Sequence, residues 1–137
     1  MKLGVAEILD KVSKEKSKNK RVQMLRENAS FPLKVVLQYA LDPNIKWLLP
    51  EGKPPYRKND LTDLEHILFA EARRLYLFVE GGNPSLQSRR REQLFVELLE
   101  QVDPNDAELL LAAKDKQVPY PYITYNLVKE AFPDILP

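Results

Sequence analysis

Cysteine is absent from the 137 residues, histidine occurs once and glycine four times. Without cysteine there are no disulfides, no thiolate metal sites and no cysteine nucleophile. With His66 alone, neither a His-rich metal site nor a Ser-His-Asp triad is expected. No apolar run approaches the roughly 20 residues that a membrane span needs. The opening Met1-Lys2-Leu3-Gly4-Val5-Ala6-Glu7 meets an acid too early for a signal peptide, so the expected setting is the cytoplasm. Gly81-Gly82-Asn83-Pro84 is followed by no Gly-Lys-Ser/Thr, which rules out a phosphate-binding loop of that type. Two glycines there read as the end of a helix. Neither sign of charge dominates, with 21 Lys and Arg against 20 Asp and Glu. Net charge therefore does not by itself argue for nucleic acid.

What remains is an ordinary globular composition, 44% hydrophobic and 30% charged, suited to one domain spanning residues 1–137. Its periodicity is helical throughout. Val5, Ile8, Leu9 and Val12 repeat on one helix face. After a polar break at residues 14–19, Ser17 is placed to cap a second helix with Val22, Leu25 and Ala29 inward. Ser30 caps a third, with Pro32 in its first turn, where a missing N–H costs little. The irregular stretch 43–61 carries Trp47, which is expected to plug the core. Thr62-Asp63-Leu64-Glu65 has the form of a capping box. The helix it would open, from Leu64 to Val79, is apolar on more than one side and is expected to lie centrally. Asn83-Pro84 would start a further helix, Asp103-Pro104-Asn105-Asp106 would cap the next, and residues 122–132 would form the last. Strand-like alternation is missing. The fold class is all-α: a compact bundle of about six or seven short helices around a central buried one.

No constellation supports an enzyme. No metal site or cofactor is expected, and Asp63, Glu65 and Glu71 show no spacing that singles out Mg²⁺. Cations, in contrast, are unevenly spread. Lys11, Lys14, Lys16, Lys18, Lys20, Arg21 and Arg26 fall together, and Arg89, Arg90 and Arg91 form a second group. Cations in the first turn of a helix oppose its dipole at a cost of a few tenths of a kcal/mol each, while the N–H groups there favour an anion. A phosphate-binding face and a merely solvated face both fit this pattern. Tyr120, Tyr122 and Tyr125 lie close in sequence to Lys114 and Lys116. Interleaved aromatics and cations can stack on bases, and a Tyr-Pro-Tyr loop can equally cover a core.

The order of these elements resembles the N-terminal DNA-binding domain of phage-type ATP-dependent DNA ligases, the T-even type especially, from residue 8 to residue 137. Ile8-Leu9-Asp10, Ser17-Lys18-Asn19-Lys20, Leu25 and Asn28 resemble its opening helix pair. Leu61-Thr62-Asp63-Leu64 and Ala72-Arg73-Arg74 resemble the start of its long central helix. Asp106 through Leu110, Asp115, Ile123, residues 126–129 and Phe132-Pro133-Asp134-Ile135-Leu136-Pro137 resemble its closing segment. Where that family has a glycine before the last helix, this chain has Val118-Pro119-Tyr120-Pro121-Tyr122, which is bulkier and offers fewer donors. The catalytic Lys-x-Asp-Gly motif of that family lies in its following domain; Lys58-Asn59-Asp60-Leu61 here lacks the glycine.

The resemblance implies a free-standing, phage-encoded domain without ligase activity. It would hold duplex DNA, intact or nicked, without reading sequence, in replication or repair. Lys18, Lys20, Arg21, Arg89, Arg90 and Arg91 would meet phosphates, and Lys114, Lys116 and Thr124 would flank the closing loop. The alternative is a protein-interaction module on the same scaffold, acting on phage or host replication or transcription machinery. Its surfaces would be the loop 120–125 and the segment 47–56. Neither a membrane nor a small-molecule substrate is expected as partner.

Overall fold

The computed structural model describes residues 3–61, 64 and 66–137. The described residues form α1 (Val5–Ser13), α2 (Lys18–Glu27), α3 (Phe31–Leu41), α4 (Ile67–Glu71), a 3-10 segment (Ala72–Phe78), α5 (Ser88–Gln101), α6 (Pro104–Lys114) and α7 (Tyr125–Ala131). They contain no strand, only an isolated antiparallel bridge between Trp47 and Val79. The protein is an all-α bundle. No helix among the described residues is long and apolar enough to cross a membrane.

Local chemistry explains most helix starts. The Ser30 hydroxyl accepts from Leu33 N at 3.2 Å, and Pro32 stands in the first turn of α3. A carboxylate oxygen of Asp103 accepts from Asn105 N at 2.9 Å and opens α6. Thr124 Oγ1 accepts from Leu127 N at 3.3 Å and opens α7. Such caps satisfy N–H groups that the helix cannot. Ser17 departs from the expectation: it stands at the N-cap of α2, but its hydroxyl accepts no capping bond. Arg21 secures that end instead, as described below. Ala29 lies beyond α2 and is exposed. The capping-box residues Thr62, Asp63 and Glu65 lie outside the described residues.

The helix expected from Leu64 to Val79 is α-helical only from Ile67 to Glu71 and then tightens to 3-10 geometry through Phe78. The reason is visible in the spacing. Three residues per turn put Ala72, Leu75 and Phe78 on one side, and all three are buried. Tyr76 points outward, so this segment is covered on one side rather than all round. The central helix of the bundle is α6. It packs against α1, α3 and α5 and buries Ala107, Leu109, Leu110, Leu111 and Ala113. Apolar residues cover most of its circumference, with Asn105 and Glu108 on the exposed side, and the alanines let neighbours approach.

Trp47 is buried as expected, with Nε1 donating to Tyr39 O at 2.9 Å. Its ring meets Tyr39 and Phe95 edge-on at 6.1 and 6.4 Å. Beyond it, residues 50–61 form a strap across α5 and α6. Arg57 N donates to a Glu100 carboxylate oxygen (2.8 Å), Asn59 Nδ2 to Gln101 O (3.0 Å), and Lys53 pairs with Glu108 (3.1 Å). The near-match Lys58-Asn59-Asp60-Leu61 is part of this strap. After the 3-10 segment the chain turns sharply. A Cβ on Gly82 would lie 1.8 Å from the Tyr76 carbonyl oxygen, so the backbone passes where a side chain has no room. A further turn, Leu86 N to Asn83 O at 3.1 Å, delays α5 to Ser88, later than Asn83-Pro84 suggested.

Candidate nucleic-acid interface

The polar break between α1 and α2 is held by one side chain. Arg21 folds back so that Nη1 donates to Glu15 O at 2.7 Å and Lys16 O at 3.2 Å. This fixes the path of the chain into α2 and leaves Lys16, Lys18 and Lys20 exposed around it. Lys18 reaches Glu130 on α7 at 3.2 Å, with both side chains about half exposed or more. A pair of that kind contributes little to stability and opens readily. Arg26, from the same basic run, is committed elsewhere. It donates to Glu130 O and Ala131 O, the last carbonyls of α7.

Packing of α2 on α7 brings the basic run to the tyrosine loop. The Arg21 guanidinium carbon lies 4.5 Å from the centroid of the Tyr122 ring. Tyr122 is 60% exposed and its φ is 68°. A left-handed conformation costs a residue with a Cβ about 1–2 kcal/mol. Buried Ile123 and the Thr124 cap hold the backbone on its far side, and a cation over an exposed ring returns roughly 0.5–1 kcal/mol. Arg21 Nε is buried and has no hydrogen-bond partner among the described residues.

The second basic group is divided. Arg89 and Arg90 are exposed in the first turn of α5, Arg90 lying 3.0 Å from Gln93 Oε1 and 3.9 Å from Glu97. Arg91 is only 6% exposed and donates to Leu77 O (3.1 Å) and Leu86 O (2.9 Å). It ties the turn before α5 to the 3-10 segment and does not face solvent. The expectation that it meets a phosphate is therefore corrected. The main packing partners of α5 are α6 and the 3-10 segment, whereas those of α2 are α1 and α7, so Arg89 and Arg90 belong to a different part of the bundle.

Two further expectations fail for the same physical reason. The Lys114 side chain is 2% exposed, and Nζ is bound to Pro50 O (2.9 Å) and Asp115 Oδ1 (2.8 Å). Lys116 donates to Tyr39 O (2.8 Å), Asp42 O (2.6 Å) and Ile45 O (3.0 Å), gathering the carbonyls at the end of α3. Burial lowers its pKa, with partial opposition from Asp42. Carbonyls that no helical N–H reaches attract cations: Lys116 serves those around the end of α3 and Lys114 serves one in the strap. Neither flanks the closing loop as a DNA contact. Thr124 is exposed, but its hydroxyl is engaged as the α7 cap.

The three tyrosines also separate. Tyr125 hydrogen-bonds to Pro137 O. Tyr120 is half-buried beside an acidic cavity of about 410 Å³ lined by Glu7, Asp10, Asp103 and Asp106. Burial, reinforced by Asp10, Asp106 and Asp103, pushes its hydroxyl up to about 12. Only Tyr122 joins the cations, and its partner is Arg21 rather than Lys114 or Lys116. Lys16 belongs to the same surface, and its place in the polar break was the one hint of it. Among the described residues no group of acidic or histidine side chains could hold a metal ion.

No curated protein and no solved structure matches the chain. A family model does match, over residues 8–119, which takes in the α1–α2 break and all three arginines of α5 and stops before Tyr122. By that match the chain belongs to DUF6433, a family of unknown function.

Proposed function

We propose that this protein is a non-catalytic, sequence-independent binder of duplex DNA, intact or nicked, acting as an accessory in replication or repair. The observation that carries this reading is the set of exposed lysines at the α1–α2 break, Lys16, Lys18 and Lys20, in the same stretch as Arg21, whose guanidinium lies over the Tyr122 ring. Cations on an exposed helix start supply the phosphate contacts that dominate such binding. The test is fluorescence anisotropy of the pure protein on duplex DNA across a salt series. Each neutralised phosphate contributes about −0.9 to the slope of log K against log salt, so three or four contacts predict a slope of roughly −3. Salt-insensitive binding would refute the mechanism.

A second reading, a protein-interaction module, is favoured by one feature. The strap encloses an open cavity of about 320 Å³ whose walls include Leu49, Pro54, Pro55, Phe95 and Val96. Aromatic and apolar pockets of this kind suit an anchor side chain of a partner. Trp47 is excluded from that role, since it is buried in the core.

A further inference from the structure

Tyr122 has more specific chemistry than a phosphate contact. One face of its ring is covered by the Arg21 guanidinium at 4.5 Å, yet the residue remains 60% exposed. Both partners are held from behind. The guanidinium is pinned by the carbonyls of Glu15 and Lys16. The ring follows Pro121 and precedes Ile123, whose side chain is buried and whose N–H bonds to Tyr120 O at 3.3 Å. The result is a flat aromatic surface fixed in a left-handed turn that a tyrosine adopts only at some cost. A cation behind an aromatic ring and an open face in front form a platform on which a base can stack.

We infer that this platform takes an unpaired or terminal base, which makes gapped or frayed DNA the preferred substrate. The inference rests on the DNA-binding reading above and sharpens it. Inside an intact duplex both faces of every base are covered by neighbours, so the ring has nothing to stack on. At a gap or end one face is open. The exposed lysines 16, 18 and 20 would then hold the adjoining phosphates, which are present in both kinds of DNA.

The test uses a covalently closed circular duplex, which has neither ends nor unpaired bases, and the same circle with a one-nucleotide gap bordered by 2-aminopurine. Wild-type protein is expected to bind the gapped form on the order of tenfold more tightly, as base–aromatic stacking allows, and to quench the 2-aminopurine. Tyr122→Gly suits the left-handed backbone, so the turn is kept while the ring is lost. It should lose both the preference and the quenching, so that its affinities for the closed and the gapped circle become equal. Tyr122→Trp should keep both. Equal, salt-dependent affinity of wild type for the two circles would overturn the platform and leave duplex binding standing. Failure to bind either would overturn both.

Discussion

The cations of the α1–α2 break and those of the α5 and α6 region are the same residue types with opposite fates. Around the break, Lys16, Lys18 and Lys20 point to solvent and one arginine turns back to hold the chain. In the other region, Arg91, Lys114 and Lys116 turn inward onto backbone carbonyls, leaving Arg89 and Arg90 outside. The difference is set by what each side chain finds within reach. The break has few unsatisfied carbonyls, and Arg21 takes them. The second region contains the end of the 3-10 segment, the C-terminus of α3 and the strap, all of which present carbonyls without helical partners. A cation cluster in sequence therefore stays free for a ligand only where the backbone nearby is already satisfied.

Substitutions can break this contrast, and the inward cations should show the larger stability effects. Arg91→Ala leaves two partly buried carbonyls without their donor and should cost about 2–4 kcal/mol in urea unfolding. Arg91→Lys should recover only part of it, because a lysine lacks the fixed fork that spans Leu77 O and Leu86 O. Lys116→Ala should cost about 1–3 kcal/mol by the same measurement, since three carbonyls lose one donor group. A smaller value would mean that water replaces the ammonium there.

The next effect depends on pH. The folded state holds the Tyr120 hydroxyl near 12, above its ordinary value of 10.0. The neutral form is thus favoured by folding, and the stability it contributes is complete below pH 10 and is lost as pH rises toward 12. Thermal unfolding of wild type should weaken across that window more steeply than that of Tyr120→Phe. Parallel curves would show that burial and the neighbouring carboxylates do not hold the phenol neutral. The smallest change in stability belongs to Lys20→Glu, within about 0.5 kcal/mol of wild type as expected at an exposed site. The same variant should weaken DNA binding several-fold at low salt, and Arg90→Glu measured beside it would show whether α5 belongs to the same surface.

The sequence made the helical class legible because apolar residues recur at helical spacing, and Ser30, Pro32 and Asp103 announced their helix starts. It misled at Leu64 to Val79, where spacings of three and four coexist. An α-helix and a 3-10 segment bury different subsets of those residues, and only tertiary packing chooses between them. The buried identity of α6 was hidden for a related reason: a helix apolar over most of its circumference has little contrast between faces, so its periodicity carries little signal. The candidate surface was half readable. The basic run stood out, but its tyrosine partner lies about a hundred positions away, joined to it only by the packing of α2 on α7. Lys114 and Lys116 could not be told from surface lysines, because the carbonyls they serve come from Tyr39, Asp42, Ile45 and Pro50.

The turn at Gly82 bears on which other sequences can share this fold. Gly52 and Gly81 have positive φ with open space around the missing Cβ, so asparagine, which tolerates left-handed geometry, is a plausible replacement at either. Position 82 allows no such drift: the obstacle is the Tyr76 backbone itself, which changing the side chain of residue 76 would not remove. In a saturation library selected only for folding, glycine should stand alone at 82. A distant relative lacking it must have rebuilt the whole passage from the 3-10 segment into α5.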